Sequence, residues 1–205
     1  MSLPSPSANI ALHHALGHHQ RGRLKEAEQL YRFVLKTHPG HVDAGRNLLA
    51  SMLKGGRYAE MESAALELVK DAPRFGIAWK GMGVAQLMQG KDAVHAFRMA
   101  VQHLPDDAES LENLGLALKR AGQQEEAERC LRRAVMLNPA SASACVNLGN
   151  LLRETGRVEE AAACFRRAIE SRPDNADLHA QLAAVLQEQG SSDALPQGSS
   201  PDDAA

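Results

Sequence analysis

The sequence predicts an all-α protein of five helix-turn-helix units followed by one further helix. The first observation is the recurrence of prolines, with spacings of 34, 32, 34 and 34 residues, at Pro39, Pro73, Pro105, Pro139 and Pro173. The second is that a glycine before each proline separates two stretches with the apolar spacing i, i+3, i+4 and i+7 of amphipathic helices. Because neither helix can bury its apolar stripe alone, neighbouring units must stack into a solenoid.

Composition agrees with helices and excludes several classes of function. Aromatic residues make up only 3% of the 205 residues, while alanine and leucine are abundant, which favours closely packed helices over a sheet. The formal net charge is −2 and no stripe of Lys and Arg stands out, so no nucleic-acid partner is predicted. No apolar run is long enough for a signal peptide or a membrane span. The three cysteines, Cys130, Cys145 and Cys164, lack C-x-x-C spacing and indicate reduced thiols in a cytoplasmic protein.

The clearest copies of the unit end at Pro139 and Pro173. Their sequences, "AESLENLGLALKRAGQQEEAERCLRRAVMLNP" and "SASACVNLGNLLRETGRVEEAAACFRRAIESRP", share N-L-G, then G-x-x-E-E-A, then R-R-A and the proline. This pattern resembles the tetratricopeptide repeat (TPR) family. The resemblance implies a right-handed superhelix over residues 8–190, with repeats at about 8–41, 42–75, 76–107, 108–141 and 142–175 and a capping helix at 176–189. Residues 1–7 and the Ser/Pro/Asp-rich acidic tail 191–205 are expected to be disordered.

The family pattern also assigns packing roles inside each repeat. Small residues at positions 8 and 20 let the two helices approach, and a bulky residue at position 24 fills the remaining gap. Repeat 2 departs from this, with Leu49 and Met61 at the small positions and Ala65 at the bulky one, which predicts looser or rotated helix packing there. Repeat 3 is two residues short between Gly90 and Ala93, which predicts a tighter turn and a local change of the superhelix.

The segment "HHALGHH" at 13–19 contains four of the nine histidines and raises the question of a metal site. His14 and His18 are four residues apart, so a helix places them on one face, as helical zinc sites require. However, they occupy positions 7 and 11 of the repeat, where other repeats carry packing leucines or methionine. No glutamate accompanies them as in H-E-x-x-H, and no third ligand is evident. We expect packing or surface histidines, with no metal and no cofactor.

The resemblance implies that the first helices line a concave face, through positions 2, 5, 6, 9, 12 and 13. Asn47, Asn113 and Asn147 at position 6 resemble the asparagine ladder in the TPR region of the O-linked N-acetylglucosamine transferase and its bacterial relatives, where amides hold a peptide backbone. Gly81 interrupts this ladder. An apolar middle flanked by cations suits an amphipathic helix or an extended, acidic peptide. The predicted groove consists of Arg46, Asn47, Lys80, Val84, Leu87, Asn113, Leu116, Lys119, Arg120, Asn147, Asn150 and Arg153.

These features favour a protein-protein interaction module, an adapter or scaffold that is not an enzyme. No Cys/His pairing suggests a catalytic nucleophile. The expected partner is a protein or peptide, with an acidic one favoured by the flanking cations, and the expected state is a monomer or a weak homo-oligomer. Two alternatives stay open: a self-associating assembly protein, and a substrate-recruiting partner of a transferase that acts in trans.

Overall fold

The structure, a computed structural model, describes residues 6–193, and this part of the chain contains eleven α-helices and no strand. Repeats 1 to 5 each contribute a first and a second helix, and a sixth first helix follows them. The helices are α1 (Pro6–Gln20), α2 (Leu24–Thr37), α3 (Val42–Lys54), α4 (Tyr58–Asp71), α5 (Gly76–Met88), α6 (Val94–His103), α7 (Ala108–Arg120), α8 (Gln124–Leu137), α9 (Ala142–Glu154), α10 (Val158–Ser171) and α11 (Ala176–Asp193). The all-α repeat fold predicted from the sequence is confirmed.

The glycine between the two helices of each repeat sets the turn. At Gly122, φ is 74°, the left-handed region that residues with a Cβ rarely adopt. Its amide donates to the Lys119 carbonyl at 3.0 Å, and the Gln123 amide donates to the Leu118 carbonyl at 2.9 Å. These two bonds satisfy carbonyls at the helix end. The same pair of bonds recurs at Gly22, Gly56, Gly90 and Gly156.

The helices form two layers. First helices of neighbouring repeats approach one another directly, α3 with α5, α5 with α7 and α7 with α9. Second helices are not in comparable contact with each other anywhere in residues 6–193. Because the more closely spaced layer lies on the inside of a curved stack, the first helices line the concave face of the superhelix.

The core consists of two clusters of buried side chains. One covers repeats 1 to 3 and the other runs from repeat 3 to α11, and Val84 packs against both. Position 24 supplies the largest buried side chains, with Tyr31, Phe97 and Phe165 completely inaccessible. Leu131 at the same position of repeat 4 is also inaccessible, so the predicted pattern of small residues against one bulky residue is present in repeats 1, 3, 4 and 5.

The two helices of repeat 2 lie further apart, which agrees with the prediction of looser or rotated packing there. Its helices α3 and α4 approach each other less closely than the helix pair of any other repeat. Leu49 and Met61 are nevertheless buried, each 3% exposed. The Leu49 side chain reaches the next repeat, where its Cδ1 lies 2.5 Å from the place that a Cβ on Gly81 would occupy. Leu49 is thus buried by packing across the junction of repeats 2 and 3 and not only by packing within its own repeat.

The prediction of a tighter turn in repeat 3 is wrong. The second helix α6 begins at Val94, so three residues separate it from Gly90, whereas only Arg23 lies between Gly22 and Leu24 in repeat 1. Ala93 keeps its buried packing position. The segment between Gly90 and Ala93 has two residues fewer than in the other repeats. It still places Ala93 correctly because it is not helical, and an extended residue spans about twice the rise of a helical one. The first turn of α6 is therefore absent.

The solenoid extends slightly beyond its predicted bounds. Helix α1 begins at Pro6, where the fixed φ of proline suits the first turn of a helix, and α11 continues to Asp193. Gly190 does not end α11, because it lacks the left-handed backbone of the glycines in the turns. Residues 6–7 and 191–193 are thus helical, and the rest of the two segments expected to be disordered, 1–5 and 194–205, lies outside the described residues. No helix of the described chain is long and apolar enough to cross a membrane.

Candidate peptide-binding groove

All twelve residues predicted for the groove lie on first helices, the layer that lines the concave face. The two on α3 are directed toward their own helix. The Asn47 side chain donates to the Asp43 carbonyl at 2.8 Å, and Arg46 lies 3.7 Å from the Asp43 carboxylate. The other ten lie on α5, α7 and α9. There Val84, Leu87 and Leu116 are half-buried, and Val84 and Leu87 pack against the core. We call these three apolar side chains of the predicted groove the apolar floor.

Lys80, on α5, is already paired with two carboxylates at the start of α7. Its Nζ lies 2.9 Å from Asp107 and 2.5 Å from Glu109. Asp107 also caps α7 by accepting from the Ser110 amide at 2.9 Å. Burial alone raises the pKa of Asp107, but the hydrogen bonds from Ser110 and Lys80 outweigh it and leave that pKa below its usual value. This group therefore stays ionised and holds Lys80.

Two further cations of the groove are paired in one register. Lys119 donates to Glu154 at 2.7 Å, and the Arg153 Nε lies 3.1 and 3.0 Å from the two carboxylate oxygens of Glu188. In both pairs position 12 of one first helix contacts position 13 of the next. We call these two pairs the 12/13 ladder. Arg120, which also belongs to the predicted groove, has no ion pair or hydrogen bond to any described residue.

The asparagines differ in what they offer a ligand. The Asn147 amide donates to Glu112 at 2.8 Å, and Ser143 donates to the same carboxylate at 3.1 Å. Asn113 and Asn150 are half-buried and make no side-chain hydrogen bond within residues 6–193. An amide that is free can pair with both the C=O and the N–H of a peptide. The available amides thus lie on α7 and α9.

A notch opens beside this surface where the first turn of α6 is absent. Its volume is about 230 Å³, and it is lined by Leu87, Gly90, Lys91, Asp92, Ala93, Ala117, Arg120 and Ala121. The shortened spacing of repeat 3 was the sequence signal for it. That signal did not indicate a cavity, because the same deletion is compatible with a shorter turn.

The histidines of 13–19 do not form a metal centre in the structure. His14 is exposed and His18 is half-buried, with its Nδ1 inaccessible and without a hydrogen-bond partner. His19 Nδ1 lies 3.3 Å from the Tyr31 hydroxyl. Among the described residues, no three His, Cys, Asp or Glu side chains gather closely enough to hold a metal ion.

The convex side carries crevices that the sequence did not predict. One of about 430 Å³ lies between α6 and α8 and includes Cys130, and one of about 290 Å³ lies between α8 and α10 and includes Cys164. Burial raises the pKa of the Cys130 thiol and raises the pKa of Cys164 to about 11. All three cysteines are free. Since the thiolate is the nucleophile, these protonated thiols are poorly suited to covalent chemistry.

Comparison with known families agrees with this architecture. A family model described as "TPR repeat" matches residues 149–190, and models described as "Tetratricopeptide repeat" match 108–141 and 9–32. The chain therefore contains TPR repeats in these three stretches, which supports a protein-protein interaction module. The closer resemblance to the arrays of O-linked N-acetylglucosamine transferase stays a prediction.

Several solved structures are similar to this chain. A thermophilic TPR protein of Thermus thermophilus, TTC0263, is 23% identical, with a TM-score of 0.63 over 88% of this chain and 99% of that one. MamA (residues 41 to the end) of Desulfovibrio magneticus RS-1 is 20% identical, with a TM-score of 0.67 over 85% and 99%. YrrB, described as a TPR protein with an unusual peptide-binding site, is 18% identical, with a TM-score of 0.65 over 88% and 90%. These similarities concern the fold. No curated protein matches the chain in sequence.

Proposed function

We propose that this TPR protein is a non-enzymatic adapter or scaffold that binds a peptide or amphipathic helix of a partner protein across α5, α7 and α9. The main support is the combination of an apolar floor with unpaired amides on one concave surface. Val84, Leu87 and Leu116 supply the floor, while Asn113 and Asn150 have unsatisfied amides. Apolar contacts give affinity, and the amides hold a backbone whatever its side chains.

A displayed random-peptide library selected on the full chain tests this proposal. We expect enriched peptides to bind the unchanged protein, and to bind the double variant Asn113→Ala/Asn150→Ala about tenfold more weakly, as two lost hydrogen bonds imply. The melting temperature should change little, because neither amide bonds within the described chain.

The matched control is Met136→Ala on the convex face, where the side chain is 78% exposed. Binding that is lost in this control and retained in the asparagine variant would move the site to the convex crevices. No enriched peptide at all would contradict the proposed groove.

A second candidate, self-association through the N-terminal end, is supported by the outer face of α1. At position 3 the later repeats have Ala44, Ala78, Ser110 and Ala144, which are at most 1% exposed. Ile10 occupies that position in α1 and is 59% exposed, and no atom lies within 4 Å of a Cβ built on Gly17. We propose that a second copy could cover this face. Recruitment of substrates for a separate transferase stays a prediction.

Light scattering across a range of protein concentrations tests the second candidate. Association through α1 predicts a rise in mass with concentration that Ile10→Glu abolishes, since a charge cannot be buried unpaired. Leu66→Glu, at a residue of α4 that is 46% exposed, is the control. A mass that stays monomeric throughout would contradict self-association.

A further inference from the structure

Arg120 is at position 13 of repeat 4, the position that carries a carboxylate in each pair of the 12/13 ladder. In the two repeats that follow, position 13 carries Glu154 and Glu188, and each pairs with a cation at position 12 of the preceding first helix. At the junction of repeats 3 and 4 both residue types change. Position 12 is Leu87 and position 13 is Arg120. The pair is therefore replaced by an apolar side chain beside an unpaired guanidinium.

The notch places these two residues on one cavity. Leu87 and Arg120 both line the space of about 230 Å³ that the missing turn of α6 leaves open. Two other charged residues line it, and each has a partner within the described chain. Lys91 Nζ lies 2.6 Å from Glu62, and the Asp92 carboxylate accepts from the Val94 amide at 2.9 Å. Arg120 is thus the charged group of the notch that has no partner among the described residues.

We propose that this notch is the anchoring subsite for one acidic residue of the bound peptide. The ligand carboxylate pairs with Arg120, and the neighbouring apolar side chain of the peptide rests on Leu87. This inference depends on the proposed function, because the peptide must lie on the concave face to reach the notch. A guanidinium suits the role, since its planar donors bind a carboxylate with two parallel hydrogen bonds.

The pairing pattern also gives the expected selectivity. Lys80, Lys119 and Arg153 are already neutralised by Asp107, Glu154 and Glu188, so a generally acidic peptide gains little from them. One acidic residue at one place in the peptide should therefore matter. A peptide with many acidic residues would also meet the carboxylates Glu109 and Glu112 on α7.

The test is a charge swap in the same random-peptide selection on the full chain. For the unchanged protein we expect enriched peptides to share one Asp or Glu next to a large apolar residue. Replacing that acid by its amide should weaken binding about fivefold, the upper end for a solvent-exposed ion pair. On Arg120→Glu, selection should instead enrich Lys or Arg at that place. Arg166→Glu, on the convex helix α10, is the matched control and should leave the preference unchanged.

A second variant tests the notch without altering any charge. Insertion of two alanines between Asp92 and Ala93 restores the 34-residue spacing and should rebuild the first turn of α6, which fills the cavity. Helical content should be kept or increase in circular dichroism. Binding of the acidic peptides should weaken about fivefold, the same loss that we expect for Arg120→Ala.

The outcomes separate this inference from the proposed function. Enriched peptides could depend on Asn113, yet share no acidic residue and bind Arg120→Glu equally well. That result would overturn the inference alone. Full binding to the alanine insertion would also overturn it. Failure to enrich any peptide would overturn both.

Discussion

Repeats 2 and 4 differ in where a bulky side chain packs. In repeat 4 it fills the space between the two helices of the same repeat, and in repeat 2 it packs against the next repeat. In repeat 4, Gly115 lies against its own second helix, where an added Cβ would stand 2.6 Å from Leu131 Cγ and 3.2 Å from the Ala127 carbonyl oxygen. In repeat 2 the same position is Leu49, and its side chain reaches Gly81 of repeat 3. The helices of repeat 4 consequently pack closely together, whereas those of repeat 2 separate and α4 packs closely on α5.

The comparison shows that a large side chain in one repeat limits the size of the side chains that the next repeat can accommodate. Helix α5 is approached from two sides, by Leu49 at Gly81 and by Phe97 at Gly83. An asparagine at position 81 would collide with Leu49. The interruption of the asparagine ladder at Gly81 is therefore coupled to the packing of Leu49. Because Asn47 is bonded to the Asp43 carbonyl as well, the available amides lie on α7 and α9.

The largest expected effect is that of Gly115→Leu. The new side chain would overlap Leu131, and the Ala127 carbonyl limits how far the backbone can yield. We expect the free energy of unfolding to fall by about 3 kcal/mol, the upper end for overpacked cores. Urea denaturation followed by circular dichroism measures it.

Gly149→Leu is the matching substitution at the same repeat position in repeat 5. A Cβ added to Gly149 would lie 3.1 Å from the nearest atom, Phe165 Cζ. It should cost less. Equal losses in the two variants would contradict the difference in packing between repeats 4 and 5.

A smaller effect, and a sharper test of the repeat 2 arrangement, comes from a double-mutant cycle. Leu49→Ala alone should lower the free energy of unfolding by about 2 kcal/mol, since it leaves a cavity. Gly81→Ala alone should cost about 1 kcal/mol or more through overlap with Leu49. In the double variant the second change should cost almost nothing, because the atom that it strikes is gone. Additive losses would show that Leu49 and Gly81 are not coupled.

The fold could be predicted because its signals are local. Glycine marks the left-handed residue of each turn and proline marks the boundary after each helix pair, and both act through their own backbone. The looser repeat 2 was also predictable, since Leu49 and Met61 exchange volume with Ala65. The sequence did not show where the displaced side chain would go, because Gly81 is 32 residues away and meets Leu49 only once repeats 2 and 3 stack.

The sequence predicted which helices carry the groove residues, but not how their side chains are paired. The repeat pattern placed its residues on first helices, and they lie there. Their state of pairing was not predicted. Lys119 meets Glu154 across 35 residues, and which residues of adjacent helices meet depends on how the repeats stack. The notch was missed for a related reason: a deletion of two residues can shorten a turn or unwind a helix, and the buried place of Ala93 decides between them.

The smallest expected effect compares one ion pair in two places of the solenoid. Glu28 and Glu128 both stand at position 21 and pair with an arginine at position 16 of the next repeat, Arg57 or Arg157. The Glu28 side chain is only 10% exposed and also accepts from the Ser51 hydroxyl at 2.6 Å. The Glu128 side chain is 23% exposed. Glu28→Gln should lower the free energy of unfolding by about 1 kcal/mol, while Glu128→Gln should cost less, since exposed pairs contribute little.

The pH dependence of the free energy of unfolding should show the same difference between Glu28 and Glu128. Burial raises the pKa of Glu28, but hydrogen bonds from Arg57 and Ser51 outweigh it, so the pKa is lowered in the folded protein. The unfolded chain therefore takes up the proton first as the pH falls. The stabilisation is complete well above the unfolded value of about 4.3 and is lost as the pH drops through the lower folded pKa. Urea unfolding at pH 7, 5 and 4 should show a loss that Glu28→Gln reduces more than Glu128→Gln. Equal reductions would mean that the buried and exposed pairs stabilise the stack alike, and that Ser51 adds nothing to the first junction.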